Sequence, residues 1–457
     1  MKLTREQMRE IGYSVVDRLV EHFETLPEQR AAQKRTPAEL YSTLQTPFDE
    51  QGMAFEAAMA ALERDVFPNR MNNTHPRFFA FVPSPSNFVS TMADTLASGL
   101  NIFNGSWMSG SGPAALEMTV IDWLAAQCGF PQETEGLCVS GGSNANLTAL
   151  TTARFAKLNH RIAGAVAYFS DQTHSSLIRA FHVLGFEEAQ LRTIASDAEY
   201  RISLPDLLQT IEADRAAGLR PFCLIANAGT TSTGAVDPLT EMAAIAKQHD
   251  MWLHADGAYG AAATLCERGR AALRGLELCD SLSIDPHKWM FQPFEIGCVL
   301  VKDPRWLKQT FTIHAEYLQD VHRYEEEINF CDRGIQLTRG FNALKLWLSL
   351  RVFGVAEFRR GVARGFELAD LAEAELRKSG QWEICTRSQM AIVSFKHVRA
   401  IDHQRVVEKV LEEGFAMLTS TVLKGHGALR MCTINPNTTD DDIVQTVEHL
   451  TRIASEL

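Results

Sequence analysis

The sequence predicts an α/β protein in which helices cover both faces of a mostly parallel central sheet. Between about residues 136 and 302, short continuous apolar runs alternate with helix-like stretches. Such runs are typical of strands that are buried on both faces, as the strands of parallel sheets are. The predicted strands are 164–169, 222–226, 252–255, 281–284 and 297–301. Helical stretches near 144–158, 203–216 and 238–249 separate several of them.

Two regions with other patterns flank this sheet. Residues 1–70 are predicted to be helical, because apolar residues recur four positions apart and prolines divide the stretch. These helices must pack on the main body or on a second subunit to cover their apolar stripes. A helical pattern at 403–414 and alternating segments near 383–385, 391–395 and 429–432 predict a smaller α+β domain. The expected units are therefore 1–70, 71–345 and 346–457.

The composition argues against several classes of protein. Of the 457 residues, 46% are hydrophobic and 22% charged, which is ordinary for a globular protein. A net charge of -12 disfavours non-specific nucleic-acid binding and a polybasic membrane surface. No apolar run reaches the ~18 residues of a membrane span. The nine cysteines have no metal-ligand spacing. We expect a reduced, cytoplasmic protein without a metal site.

A glycine-rich turn follows the apolar run that ends at Val139. Gly141, Gly142 and Ser143 lead into a helix, whose first backbone N–H groups can bind an anion. The turn lacks the lysine of a Walker loop and the glycine spacing of a dinucleotide fingerprint. An ordinary turn before a helix would have the same composition.

Three later strand ends also carry polar residues. His174 would cap a helix or stack on a planar cofactor, and Asp256 would cap a helix or pair with a protonated pyridine. Lys288 follows Asp285-Pro286-His287 and precedes Trp289. Desolvation there would lower its pKa and make its amine nucleophilic enough for a Schiff base. Ligands in such sheets bind beyond the carboxyl ends of the strands. Together these residues are what pyridoxal 5′-phosphate requires.

These motifs resemble those of the group II pyridoxal-phosphate-dependent amino-acid decarboxylases, the family of the aromatic-L-amino-acid, glutamate and histidine decarboxylases. The resemblance extends from about His75 to Cys432. It rests on five motifs: His75-Pro76 with Phe78-Phe79, Asp171-Gln172 with His174-Ser175-Ser176, Gly229-Thr230-Thr231, Leu253-His254 with Asp256, and Pro286-His287-Lys288-Trp289.

The resemblance implies a fold-type I enzyme and a set of site residues. Lys288 would carry the cofactor, Asp256 would pair with its ring nitrogen, and His174 would stack on its ring. The cofactor-binding residues that it implies are Gly142, Ser143, Asn144, His174, Thr231, Asp256, Ala258, Asp285, His287 and Lys288. It further implies a homodimer with shared active sites, in which residues 1–70 embrace the partner.

The activity that the resemblance implies is decarboxylation of an L-amino acid to the amine and carbon dioxide. An aromatic or otherwise apolar substrate is expected from the residues on segments similar to the family's substrate pocket: Phe81, Val82, Pro83, Phe103, Trp107 and Arg430. Arg77 leaves an acidic substrate possible. A protein that binds the cofactor without turnover is an alternative of a different class.

Two positions depart from the family pattern. Asp285 stands where relatives often have asparagine, and a second acid near the phosphate needs a partner. Phe330 falls on the loop tyrosine that is thought to protonate Cα in the aromatic decarboxylases, when the loop is aligned from Tyr317. In relatives without that tyrosine, dioxygen intercepts the carbanion and the product is an aldehyde. Tyr324, in the same loop, would be a substitute for it.

Overall fold

A seven-stranded sheet forms the centre of the computed structural model, which describes residues 2–45, 48, 50–313, 324 and 326–457. Its strands are β1 (Glu135–Val139), β2 (Ala165–Ser170), β3 (Leu191–Ile194), β4 (Arg220–Asn227), β5 (Trp252–Asp256), β6 (Ser281–Ile284) and β7 (Gly297–Val301). They lie in the order β1-β7-β6-β5-β4-β2-β3, and only β7 is antiparallel to its neighbours. The carboxyl ends of the other six strands therefore meet at one edge, as the predicted α/β class requires.

Three helices precede the sheet: α1 (Arg5–Glu24), α2 (Pro37–Leu44) and α3 (Phe55–Asp65). Helix α1 begins at a capping box between Thr4 and Gln7. Pro37, one of the prolines expected to divide this stretch, is the first residue of α2, where its missing N–H has no cost. A further break expected at Pro47 lies outside the described residues. No described residue of α1 is buried in the single chain.

Helices on both faces of the sheet enclose two apolar cores. They are α4 (Phe88–Gly99), α5 (Trp107–Gln127), α6 (Gly142–Leu158), α7 (Ser175–Val183), α8 (Leu204–Ala216), α9 (Leu239–Gln248), α10 (Glu267–Ala272), α11 (Arg305–Phe311) and α12 (Ala343–Phe353). In β4, Cys223 and Ile225 belong to one core, and Leu224 and Ala226 to the other. Because alternate side chains point to opposite faces and all four are buried, the strand forms a continuous apolar run.

Two edge strands had not been predicted. In β3, Arg192 and Thr193 are only partly buried or exposed, and in β10 (Thr419–Leu423) only Leu423 is buried. A strand at the edge of a sheet contacts one neighbour and less of the core, so it does not need an apolar run. The pattern that revealed the central strands was therefore absent here.

The C-terminal part folds around a second, smaller sheet. Its strands are β8 (Trp382–Gln389), β9 (Ile392–His397), β10 and β11 (His426–Cys432), in the antiparallel order β10-β11-β9-β8. Helices α13 (Val355–Ser379), α14 (His403–Glu413) and α15 (Asp440–Ser455) accompany it. This is the expected small α+β domain. Among the described residues, no helix is both long enough and apolar enough to cross a membrane.

A buried ion pair joins three segments beside β1. Arg339 donates from Nη2 to Oε1 of Glu117 at 2.6 Å and to the carbonyl of Cys138 at 2.6 Å. The other carboxylate oxygen of Glu117 accepts from Asn104 at 2.7 Å. The Glu117 and Arg339 side chains are 0% and 3% exposed. Helix α5, the end of β1 and the approach to α12 are thereby held together next to the glycine-rich turn.

We predict that Glu117→Ala lowers the free energy of unfolding of the cofactor-free protein by about 3–5 kcal/mol, because it leaves the Arg339 guanidinium buried without its carboxylate. Asp303→Ala is the matched control, since its partner Arg305 is 66% exposed. The control should lose less than about 1 kcal/mol. Urea denaturation measures both changes, and equal losses in the two variants would contradict the importance of the buried pair.

Candidate active site

The carboxyl ends of β1, β2, β4, β5 and β6 enclose a polar cavity of about 330 Å³, within the usual size range of small-molecule sites. All ten residues expected to bind the cofactor line it: Gly142, Ser143, Asn144, His174, Thr231, Asp256, Ala258, Asp285, His287 and Lys288. Nine others complete the lining: Ser140, Gly141, Asn146, Gln172, Ser176, Asn227, Gly229, Thr230 and Tyr259. The parallel sheet thus brings residues from five separate loops together.

The glycine-rich turn places the start of α6 against two other loops. A Cβ atom on Gly142 would lie 2.9 Å from Cβ of Ala258 and 2.9 Å from Oδ2 of Asp285, so the close approach requires glycine. The first amides of any α-helix have no carbonyl partner within the helix. Ser143 and Asn144 line the cavity beside them. A helix start with these donors suits a phosphate group.

Lys288 is the only lysine or arginine on the described lining of the cavity. Its ammonium group lies 3.0 Å from Oδ2 of Asp285, whose side chain is 1% exposed. Burial alone would lower the pKa of Lys288, but the carboxylates of Asp285 and Asp256 outweigh it and raise this pKa above its ordinary value. The expectation of a lowered pKa was therefore wrong for the cofactor-free chain, because it omitted the Asp285 partner.

His287 contacts the same carboxylate from the other side. Its Nδ1 accepts a hydrogen bond from the backbone N–H of Ile296 at 3.3 Å, so the ring hydrogen lies on Nε2. That nitrogen is 3.6 Å from Oδ2 of Asp285. Burial lowers the pKa of His287, which favours the neutral imidazole despite the nearby acid. His287 therefore presents one N–H donor to a group at the start of α6.

Asp256 ends β5 with both carboxylate oxygens bonded. Oδ1 accepts from the Ser283 hydroxyl at 3.2 Å and from the Ala258 backbone N–H at 3.2 Å. Oδ2 accepts from the Asn146 side-chain amide at 3.2 Å. Three donors, from β6, from α6 and from the turn after β5, hold this carboxylate in one orientation at the cavity wall. The arrangement suits a carboxylate that must face a protonated ring nitrogen.

His174 has the first of the two roles considered for it, the helix cap, and its stacking on a cofactor ring stays a prediction. Its Nδ1 accepts from the backbone N–H of Ser176 at 3.2 Å and lies 2.8 Å from the Ser176 hydroxyl, so the residue caps α7. The same bonds fix the ring on the wall of the cavity and leave its hydrogen on Nε2. A fixed imidazole of this kind can stack on a flat ring and donate one hydrogen bond.

The lining as a whole fits pyridoxal phosphate. The cavity provides one amine for covalent attachment at Lys288, a helix start for the phosphate, and the Asp256 carboxylate for the ring nitrogen. Asp285, the acid that needs a partner beside a phosphate, has Lys288 at its Oδ2, whereas its Oδ1 is buried without a hydrogen-bond partner in the described structure. Groups of three or more His, Cys, Asp or Glu with metal-binding geometry do not occur among the described residues.

The residues expected to contact the substrate lie outside this lining. Phe81 is 52% exposed with φ of 51°, Val82, Phe103 and Trp107 are partly buried, and Pro83 is buried. A wall formed in a dimer would not be complete in one chain. Their substrate role stays a prediction.

Arg430 is the charged residue among the predicted substrate residues, and its guanidinium is buried. The residue is 3% exposed, and its Nε and Nη2 atoms have no hydrogen-bond partner among the described residues. Burial lowers its pKa, and the neighbouring Cys432 and Tyr259 partly oppose this. A buried guanidinium with unpaired nitrogens is unfavourable unless an anion binds to it. Tyr259 links Arg430 to the cavity, which Tyr259 lines.

The two candidate loop residues are placed very differently. Phe330 is fully buried in an apolar core, with the Arg339 guanidinium 4.6 Å from its ring centroid. Tyr324 is 52% exposed. Neither residue lines the cavity of the single chain. Tyr317, from which the loop was aligned, lies outside the described residues, so the catalytic roles of Phe330 and Tyr324 stay predictions.

Every guanidinium nitrogen of Arg77 already has a partner within the chain. Its guanidinium binds Asp442 at 2.9 Å and the carbonyls of Phe415 and Pro27 at 2.9 and 2.8 Å. It also lies over the Phe415 ring, 4.4 Å from the centroid. Arg77 therefore joins the N-terminal and C-terminal parts of the chain.

Asn146, Ser176 and Ser283 hold Asp256 or His174, and the sequence did not single them out for this. A signal was present for Asn146: it lies one turn after Gly142 on the buried face of α6, between Ala145 and Ala149. A polar residue at 1% exposure on an apolar face must have partners nearby. The partners themselves come from distant strands, so sequence spacing could not identify them.

Known proteins are similar to this chain over most or all of its length. The family model of the pyridoxal-dependent decarboxylase conserved domain matches residues 37–398. An aromatic-L-amino-acid decarboxylase of Bacillus atrophaeus is 44% identical over 467 aligned positions, covering 100% of this chain and 97% of the relative. A phenylacetaldehyde synthase of Arabidopsis thaliana is 29% identical and covers 96% and 94% of the two chains. The crystal structure of Oryza sativa TDC with PLP and tryptamine superposes with a TM-score of 0.95 at 26% identity, covering 100% and 99%.

The Asp285 contact gives a testable pH dependence. Asp285→Asn removes the charge and keeps the shape, so the pKa of Lys288 should fall. Only the neutral amine attacks the aldehyde of pyridoxal phosphate, so its attachment to the native protein should accelerate as pH rises towards the raised pKa of Lys288. In the variant this rise should move to lower pH. Absorbance after mixing with the cofactor, from about pH 6 to 10, measures the rate.

Asp303→Asn, on the surface, is the control for the loss of one carboxylate. Its rate profile should follow that of the native protein. A profile of Asp285→Asn that coincides with the native one would show that Asp285 does not set the protonation of Lys288.

Proposed function

The chain belongs to the pyridoxal-dependent decarboxylase family and is a carboxy-lyase that uses pyridoxal phosphate, and we propose that it converts aromatic L-amino acids to the corresponding amines. The observation that carries the proposal is the convergence of Lys288, Asp256 and His174 on one cavity beside the start of α6. The substrate class is supported by the 44% identity to an aromatic-L-amino-acid decarboxylase.

Each residue has a distinct task in the proposed reaction. Bound pyridoxal phosphate supplies an electron-withdrawing ring that accepts the electron pair left when carbon dioxide departs. Asp256 keeps the ring nitrogen protonated, since its orientation is fixed by Ser283, Ala258 and Asn146. His174 would cover one face of the ring, and its Nε2–H would be a hydrogen-bond donor there. Lys288 would hold the cofactor through its amine, and Asp285 would stabilise the ammonium form whenever the amine is free.

Arg430 is the proposed binding site for an anion. That anion is either the carboxylate of the substrate or an acidic side chain of the protein that approaches Arg430 during turnover. Its buried, unsatisfied donors are next to Tyr259, on the cavity wall. Apart from Lys288, the described lining has no lysine or arginine that would select an acidic side chain. This supports an apolar side chain in the substrate, with Phe81, Phe103 and Trp107 as proposed wall residues.

The proposed assembly is a homodimer with shared active sites. Helix α1 has no buried residue, and together with α3 it borders a groove of about 760 Å³ that Val15, Leu19, Met59 and Phe67 help to line. Apolar stripes of this kind need a covering surface. A second copy would bury α1 to α3 and bring the exposed Phe81 of one chain towards its partner. Residues 1–70 are accordingly the proposed dimerisation segment.

Release of an aldehyde is the second candidate. Phe330, at the position aligned with the loop tyrosine, has no hydroxyl and cannot protonate Cα. The identity to phenylacetaldehyde synthase is lower, at 29%, than that to the aromatic-L-amino-acid decarboxylase. Amine formation is therefore the leading proposal.

We predict that tryptophan, tyrosine, phenylalanine or dihydroxyphenylalanine is consumed with one amine formed for each carbon dioxide. Amine, carbon dioxide, ammonia and peroxide should be measured together on each substrate. Lys288→Ala should form no product, and Lys247→Ala, a change on the surface helix α9, should act as the native protein. If the amount of peroxide equals the amount of carbon dioxide and no amine is formed, the product is an aldehyde and the proposal of amine formation is wrong. Turnover of glutamate alone would refute the substrate class.

A further inference from the structure

A chain of hydrogen bonds runs below the cavity from β5 to the start of α7. The indole Nε1 of Trp252 lies 2.8 Å from the Ser281 hydroxyl, which lies 2.9 Å from Nδ1 of His254. Nε2 of His254 lies 3.0 Å from Oδ1 of Asn146. The Asn146 amide nitrogen reaches Oδ2 of Asp256 at 3.2 Å and the hydroxyl of Ser176 at 3.1 Å.

The first members give the chain a fixed direction. An indole N–H can only donate, so the Ser281 hydroxyl accepts from Trp252. The amide nitrogen of Asn146 faces the Asp256 carboxylate, so its Oδ1 faces His254 and accepts the hydrogen on Nε2. Nδ1 of the neutral His254 is then an acceptor and takes the hydrogen of the Ser281 hydroxyl. Full burial lowers the pKa of His254 to about 4, so the imidazole is neutral and has one hydrogen to give.

Asn146 connects the chain of hydrogen bonds to two predicted functional residues, Asp256 and His174. With its carbonyl facing His254, both hydrogens of its amide face acceptors, namely Asp256 and Ser176. The opposite amide orientation would bring an oxygen against the Asp256 carboxylate. Because Ser176 accepts from Asn146, its hydroxyl hydrogen goes to Nδ1 of His174, 2.8 Å away. The chain therefore ends by leaving the hydrogen of His174 on Nε2.

Counting acceptor sites identifies the Asp256 oxygen that is left for the cofactor. A carboxylate offers about four lone-pair sites, two on each oxygen. Oδ1 uses both, for Ser283 and Ala258, whereas Oδ2 uses one, for Asn146. The remaining site is on Oδ2. Asn146 thus holds the same oxygen that would face the ring nitrogen of the cofactor.

We propose that Asn146 is a positioning residue that couples Asp256 to His174, so that the ring-nitrogen acceptor and the stacking imidazole are fixed by one amide. The inference rests on the proposed function, because it takes Asp256 and His174 as the residues that hold the cofactor. The charged and titratable groups around Asn146 are Asp256, His254 and, through Ser176, His174; Lys288 acts on Asp256 from the cavity.

Two variants separate this role from simple packing. Asn146→Ala removes every bond of the amide. Asn146→Asp is isosteric and keeps an acceptor for His254, but it places a second carboxyl group 3.2 Å from Asp256. Two such groups share one proton, and the shared proton restores a donor to Asp256 at low pH only. Thr152→Val is the control, since Thr152 is buried in α6 and bonds only to the helix backbone.

The measurement is the dissociation constant for pyridoxal phosphate by equilibrium dialysis across pH, expressed as the ratio of variant to native protein. Asn146→Ala should bind about 10- to 100-fold more weakly, with a ratio that does not vary with pH. Asn146→Asp should show a ratio that approaches one as pH falls and grows as pH rises. Thr152→Val should have a ratio of one throughout. Melting temperatures of the cofactor-free proteins report on folding, and Asn146→Asp carries the test if the alanine variant does not fold.

Ratios of one for both Asn146 variants, with native protein that binds the cofactor on Lys288, would overturn the role of Asn146 and leave the proposed function intact. A ratio for Asn146→Asp that is large but constant with pH would show that Asn146 has only a structural role, and this result would also overturn the proposed positioning role. Native protein that does not bind pyridoxal phosphate would refute the proposed function itself.

Discussion

The parallel pairing of β2, β4, β5 and β6 is the constraint on which the site depends. Parallel strands must all return to the same end of the sheet before they start again, so the loops that follow them lie at one edge. His174, Asp256 and Lys288 are more than a hundred positions apart at the extremes, and the sheet alone brings them to one cavity. Strand β7 lies between β1 and β6 and is antiparallel to both, so β1 runs in the same direction as β6. The carboxyl end of β1, and the start of α6 that follows it, therefore lie at the same edge, where the helix start suits a phosphate.

Charge at this edge is balanced by short contacts. Asp285 is paired with Lys288, and Asp256 is held by three donors. Beside β1, Glu117 is paired with Arg339, and their side chains are 0% and 3% exposed. Arg430 differs from these groups, because the Nε and Nη2 atoms of its buried guanidinium have no hydrogen-bond partner among the described residues. A buried charge without a partner is costly, which is why Arg430 is a proposed site for an incoming anion.

The central strands of the sheet were predictable because burial on both faces leaves a continuous apolar run, as in β2 and β4. The residues at their ends were predictable as well, since each follows directly on such a run. Properties that depend on contacts across loops were not. The pKa of Lys288 was expected to fall from burial, whereas the carboxylate of Asp285 raises it. Likewise, Phe81 and Trp107 belong to segments outside the single-chain cavity, and a pattern along one chain does not show how the proposed dimer would bring them to a substrate.

The central claim is that Lys288 carries the cofactor. The decisive measurement is reduction of the protein with borohydride in the presence of pyridoxal phosphate, followed by peptide mapping of the label. Lys288 lies on the cavity, whereas Lys345 is a buried lysine elsewhere, 3.2 Å from Asp94, and serves as an internal comparison. The structure predicts one labelled position, Lys288, in the peptide that contains His287 and Trp289. A label on Lys345 or on any other lysine, with Lys288 unmodified, would contradict the account.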